Sequence, residues 1–198
     1  MNNDIPGNDI SSLMESSILK SRLDGEIYLD SPDLTQIEIP SRFKKEILSL
    51  PKNNYNSEIR KIVEPISEEV EKLGFGGNVF TSLYEALKNA HEHGNLSSPK
   101  KNIILASNIN PQNLEFIICD QGKKLHPKFT RFILELREKD LINGGFINWY
   151  EFSAEKPKPG RDNNGTGTSF MHVYVDRIRY FKSDDLGGLA VYMRKNRK

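Results

Sequence analysis

The stretch from Asn78 to Asn95, NVFTSLYEALKNAHEHGN, decides how the rest of the chain is read. Val79, Phe80, Leu83, Ala86, Leu87 and Ala90 recur at helical spacing and fill one arc of roughly 120° on a wheel of ~100° per residue. One face of this helix is core. Along an edge of that arc run Glu85, Asn89 and His93, four apart, so successive members drift by about 40° and form a half-buried stripe. Gly94 and Asn95 are residue types that stop a helix, which puts His93 in its last turn. His91 points away from the apolar arc and reads as surface. The ordinary explanation of such a stripe is the polar boundary of an amphipathic helix, so any chemistry it carries needs partners elsewhere.

The totals bound those partners. With 198 residues, 36% of them apolar, the chain can bury one sizeable core. Lys and Arg number 28 against 27 Asp and Glu, for a formal charge of +1. No basic excess points to nucleic acid. The single cysteine, Cys119, excludes an internal disulfide framework and a multi-cysteine zinc site. No apolar run approaches the ~18 residues that cross a bilayer, and the polar N-terminus has no apolar signal region. A soluble, cytoplasmic protein is the expectation.

Residues 1–33 are rich in Asn, Asp, Ser and Gly and read as a flexible tail or partner-binding arm. Residues 34–198 form the domain, with a long insert at 123–164. Leu34 to Ile39 alternates as an edge strand, Arg42 to Leu50 reads as a short helix, and Ser57 to Leu73 as an amphipathic helix that ends at Gly74. Lys101–Asn108 and Asn113–Cys119 read as adjacent antiparallel strands joined by hairpin chemistry. The insert holds a helix around Lys128 to Lys139 and is far longer than the usual ~4 to 6 residues of a connection, which suggests a lid. A helix at Phe170 to Val175 and strands at Arg177–Phe181 and Gly188–Met193 follow. The sum is an α/β two-layer sandwich, with helices on one face of a mixed, mostly antiparallel sheet.

Three stations carry chemistry. Glu85 could take a proton from a nucleophile, and the Asn89 oxygen could ligate a hard cation such as Mg2+. Asp120, at the end of a strand, could accept a hydrogen bond from an exocyclic amine, with Gly122 letting the backbone approach a flat ligand. Gly165-Thr166-Gly167-Thr168 at a helix start offers backbone N-H groups to phosphate; the alternative is a flexible loop with Thr168 or Ser169 capping the helix. It is not a Walker loop, since no Gly-Lys-Ser or Gly-Lys-Thr follows.

In order and spacing, Glu85 through Asn95, then Asp120-Gln121-Gly122, then Gly165-Thr166-Gly167 resemble the N, G1 and G2 boxes of the GHKL superfamily of gyrase, heat-shock chaperone, histidine kinase and mismatch-repair ATPases. The resemblance covers roughly residues 34–195 and implies the Bergerat ATP-binding fold. Small size, the strand Ile37-Glu38-Ile39-Pro40, the His93-Gly94 ending and the finish Val191-Tyr192-Met193-Arg194-Lys195 look most like the anti-sigma factor serine/threonine kinases. It implies ATP and Mg2+ as ligands, Glu85 as general base, Asn89 as Mg2+ ligand, Asp120 and Gly122 at the adenine, and Gly165 and Gly167 with Thr166 and Thr168 at the phosphates. Lys88 and His93 fall near the nucleotide, and Arg161 is the insert residue best placed to clamp phosphate. It further implies a regulatory protein partner, anti-anti-sigma-like or sigma-like, with no direct nucleic acid and no membrane, and leaves a homodimer open.

Departures accompany the resemblance. Lys124 stands where the family usually has a second glycine, Ala190 stands where a threonine often assists adenine, and the lid exceeds that of the small serine kinases. Rival readings are an ATP-gated interaction module without phosphotransfer, the detached ATP-binding half of a histidine kinase, and a small α/β binding domain that takes no nucleotide.

Overall fold

The computed structural model describes residues 27–28, 36–76, 78–122, 124–125, 129, 132, 149–154, 156 and 165–197. Its strands are β1 (Ile27–Tyr28), β2 (Gln36–Ile37), β3 (Lys44–Ser49), β4 (Asn102–Ile109), β5 (Asn113–Cys119), β6 (Lys124–Leu125), β7 (Arg177–Ser183) and β8 (Leu189–Asn196). The helices are α1 (Tyr55–Lys72), α2 (Asn78–Asn89), α3 (Trp149–Ser153) and α4 (Gly167–Val173), with a π-helical turn at Ala90–Gly94 continuing α2. Six strands make one mixed, mostly antiparallel sheet in the order β2-β7-β8-β5-β4-β3. Only β2 runs parallel to its neighbour.

Alternation along the strands sorts the sheet residues to two faces. On one face, Ile103, Leu105, Leu114, Phe116, Ile118, Ile178, Tyr180, Val191 and Met193 pack against Ile59, Val63 and Val70 of α1 and Val79, Leu83, Ala86 and Leu87 of α2. This is the two-layer sandwich expected. Pro65 sits inside α1 on its exposed side, where the carbonyl it leaves unpaired can turn to water.

The other face is not a plain solvent surface. Ile104, Ala106, Ile117, Cys119, Phe181, Ala190 and Tyr192 form a second buried cluster, closed by Ile37, Ile39 and Phe43 with Leu186 against it. At its far end the buried carboxylate of Glu115 accepts hydrogen bonds from Asn108 at 2.7 Å and Tyr192 at 2.8 Å and pairs with Arg42 at 3.3 Å. Burial with these partners pushes the Tyr192 hydroxyl well above its ordinary value, desolvation leading and Glu115 adding to it. The run Leu-Glu-Phe-Ile-Ile-Cys of β5 is apolar on both sides for this reason.

Several elements differ from the sequence reading. Arg42 to Leu50 is not a helix: Lys44 to Ser49 pairs residue by residue with β4. Lysine and glutamate favour helix locally, but six ladder positions against a buried strand outweigh that weak preference. The strand expected at Leu34 to Ile39 is confined to Gln36–Ile37 among the described residues. The tail expectation meets one placed fragment, because Ile27–Tyr28 pairs antiparallel with Lys124–Leu125. Most of the insert, including the helix expected at Lys128 to Lys139, lies outside the described residues. Phe129 and Phe132 within it are helical, and Phe132 packs edge-on to Trp149 and tilted against Phe152.

The second core has a measurable consequence. Replacing Ile117 with Ala should cost about 2–5 kcal/mol in urea unfolding, the range for fully buried aliphatics, whereas a solvent-facing site would lose well under about 1 kcal/mol.

Candidate functional site

The site is built where α2 ends, where β5 ends and where α4 begins. Helix α2 keeps an ordinary pitch through Asn89, so Glu85 and Asn89 lie half-buried on one edge as the wheel requires. From Ala90 the turn widens to π. An i→i+5 turn rotates each residue by less than the ~100° of an α-helix, so His93 does not advance toward the apolar arc. His91 does not point away from the arc: at ~100° per residue it falls about 20° past Phe80 on the wheel, and it is fully buried beside the Tyr55 ring, 4.8 Å between centroids, so it is not a surface residue. The His93 side chain is 60% exposed.

Neither ring nitrogen of His91 has a hydrogen-bond partner in good geometry, and burial holds its pKa below the ordinary value, opposed by Glu92 and by the backbone of Pro51. Next to it, Glu92 is buried and accepts the Tyr55 hydroxyl. Periodicity missed Glu92 because on the wheel it stands opposite the apolar arc, where Tyr55 of α1 meets it.

Asp120 is buried to 5% exposure between glycines. Its Oδ1 accepts the Gly122 N-H at 2.8 Å and the Leu189 N-H at 3.1 Å. A β-carbon on Gly94 would overlap Oδ2, and one on Gly188 would overlap the Asp120 carbonyl and Oδ1. A β-carbon on Gly122 would sit 2.7 Å from the Gly94 carbonyl oxygen. These positions are glycine because the backbone must pass this close. Among the described residues no donor reaches Oδ2, which is left to accept from outside. Burial raises the Asp120 pKa from 3.8 to about 6, moderated by the two backbone donors and by Lys101.

Asn95 is the second residue that periodicity did not single out. Fully buried, it donates to the Asn102 carbonyl at 3.0 Å and accepts the Gln121 N-H at 2.8 Å. The Gln121 side chain in return accepts the Asn102 N-H. This clamp ties the end of α2 to the residue between Asp120 and Gly122. Leu96 and Ser97 leave it with φ of 56° and 54°, a conformation costly for side chains of this kind.

Gly167 faces the other end of the stripe, since a β-carbon there would overlap Oε2 of Glu85. The Glu85 carboxylate receives no hydrogen bond from the described residues, and its pKa is raised first by burial, with Lys88 opposing. Asn89 donates Nδ2 to the Met171 sulfur of α4 at 3.3 Å, which leaves its Oδ1 open. Gly165 has φ +74° and its carbonyl accepts the Trp149 N-H at 2.8 Å. Thr166 stands at the N-cap without a capping side-chain bond, and Thr168 is buried inside α4, so neither Thr168 nor Ser169 is the cap. Arg161, Lys123, Lys128 and Arg131 lie outside the described residues. The three stations thus meet as two contacts, Glu85 with Gly167 and Asp120 with Gly94, Gly122 and Gly188.

Among the described residues no group of three or more His, Cys, Asp or Glu could cage a metal, and no helix is long and apolar enough to cross a membrane. No family model matches the chain, and no curated protein is similar enough to count as a relative.

Asp120→Asn separates stability from recognition. Because the folded-state pKa lies above the unfolded one, the native protein holds a proton that the unfolded chain releases, and stability drawn from that proton is lost as pH rises toward 6. The uncharged amide escapes this loss. The stability of Asp120→Asn relative to wild type should therefore climb between pH 4 and pH 7.5, by at most about 3 kcal/mol in paired urea melts. A flat or falling difference would refute the buried-carboxylate description.

Proposed function

We propose that the chain binds Mg-ATP and transfers the γ-phosphoryl group to a serine or threonine of a protein partner. The observation that carries this reading is the contact of Glu85 with Gly167: an unpaired, half-buried carboxylate against a glycine that leaves no side chain between it and the incoming group. The order of boxes resembling the GHKL superfamily supports it.

The residues present fit the ligands. Oδ2 of Asp120 is a single open acceptor in a buried site, suited to one exocyclic amine. Oδ1 of Asn89 offers one hard oxygen, and Mg2+ is commonly held by one or two protein oxygens with waters and substrate phosphates completing its shell. When bound, Mg2+ would offset charge on the phosphate oxygens. Glu85, its carboxylate destabilised by burial, is a better proton acceptor than a solvated glutamate and would take the hydroxyl proton of the partner. Gly165 and Gly167 keep the backbone open beside it. Catalysis would then consist mainly of placement and electrostatics.

A second reading, an ATP-gated interaction module without phosphotransfer, draws on the pairing of Ile27–Tyr28 with Lys124–Leu125. That pairing joins the N-terminal arm to the chain just past Gly122, so a ligand at Asp120 would act on the arm directly.

Calorimetric titration with ATP and Mg2+ tests the common premise. Wild type should bind, Asp120→Asn and Asn89→Ala should weaken binding by at least about tenfold, and the fluorescence of Trp149, the sole tryptophan, should change through its bond to Gly165. No binding to wild type ends both readings. Glu85→Gln should retain ATP affinity and lose phosphotransfer by about 10²-fold or more; full turnover in that variant would remove Glu85 from the mechanism.

A further inference from the structure

The sheet ends in β3, and that edge is open. Lys44 to Ser49 is bonded to β4 along one side, and among the described residues none makes a backbone hydrogen bond to its other side. The strand is largely exposed along its length. An uncovered edge presents a row of unpaired N-H and C=O groups, a template for another strand. On this edge stands Ile47, 71% exposed, one of two large apolar side chains left to solvent among the described residues.

We propose that β3 joins two copies of this chain, their sheets continuing antiparallel through Lys44–Ser49 about a two-fold axis at Ile47. Symmetry and charge select this register. A two-fold axis perpendicular to a sheet keeps each face on its own side, and residues directly opposite in an antiparallel pair share a face. The axis must therefore pass through a residue, not between two. Centred on Glu46, it opposes one glutamate to its own counterpart. Centred on Lys45, it opposes lysine to lysine and pairs only Lys44 to Glu46 of the strand. Like charges directly opposite are destabilising.

Centred on Ile47, the whole run from Lys45 to Ser49 is paired. Ile47 meets its counterpart, Glu46 meets Leu48, and Lys45 meets Ser49, so no like charges stand opposite. Lys45 is already neutralised by Asp185 at 3.2 Å and Lys44 by Glu46 at 2.8 Å. The charged half of the strand thus excludes the registers centred on Lys45 and Glu46, and one centred on Leu48 pairs only Ile47 to Ser49, so the register that covers Ile47 pairs the longest run. A single added strand pair buries less than the ~1,200–2,000 Å² of a standard interface, so the association belongs in the micromolar range. None of the residues proposed to meet nucleotide lies on β3.

Light scattering behind size exclusion, run on the full chain, should give a mass that rises toward twice 22.6 kDa with concentration. Ile47→Lys should stay monomeric at every concentration with an unchanged melting temperature. Ile47→Cys should form a covalent dimer on mild oxidation, since opposed strand residues lie within disulfide reach. Cys119 will not confuse the result, being fully buried with its thiol pushed up to about 12. A monomeric wild type, a dimer that Ile47→Lys leaves intact, or crosslinking through Glu46→Cys in place of Ile47→Cys would each overturn the proposal.

Discussion

A carboxylate buried against bare backbone is the constraint on which the rest of the structure depends. Asp120 must stay close enough to three segments that Gly94, Gly122 and Gly188 can carry no side chain. Two of its hydrogen bonds come from main-chain N-H groups. Donors on fixed backbone need no rotamer entropy to hold them, so they offset part of the desolvation that burial imposes. They also occupy only one oxygen, and the other remains for chemistry.

Holding those segments together requires a helix to end in an unusual way. An α-helix continued past Asn89 at its ordinary pitch would have carried His93 along the stripe toward the apolar arc. The π turn at Ala90–Gly94 instead leaves His93 exposed, holds His91 and Glu92 buried, and sets Gly94 against Asp120. Asn95 then fastens the turn to Asn102 and Gln121 with a donor and an acceptor of one side chain. A buried imidazole without a well-aligned hydrogen bond within this turn and two left-handed residues just after it are costs that the surrounding core sustains. At the other end of the stripe α4 is fixed by the contact of Asn89 with Met171 and of Glu85 with Gly167.

The second apolar face changes how the sheet is understood. A two-layer sandwich has one buried sheet face, yet β5 is buried on both, and Glu115 is drawn under with Arg42, Asn108 and Tyr192 as its partners. The short parallel strand β2 and the turn to Phe43 supply much of that cover. Central strands gain from this arrangement what the edge strand β3 lacks, and β3 accordingly carries charge along its first half.

From sequence alone, periodicity settled what depends on neighbours in the chain: helix α1, helix α2 as far as Asn89, the hairpin β4–β5, the closing strands, and the inward edge that holds Glu85 and Asn89. Spacing also marked Asp120 and the Gly165–Gly167 turn as positions where a backbone could approach a ligand. Tertiary structure decided what depends on contacts between distant segments. It made Lys44–Ser49 a strand, because ladder bonds to β4 outweigh a local helical preference, and it covered Glu92, which stands opposite the apolar arc, with Tyr55 of α1. It also gave Gly188, read from sequence only as the start of a closing strand, a place against Asp120. A glycine's role is the absence of a side chain, and that absence acquires meaning only when another segment comes to occupy the space.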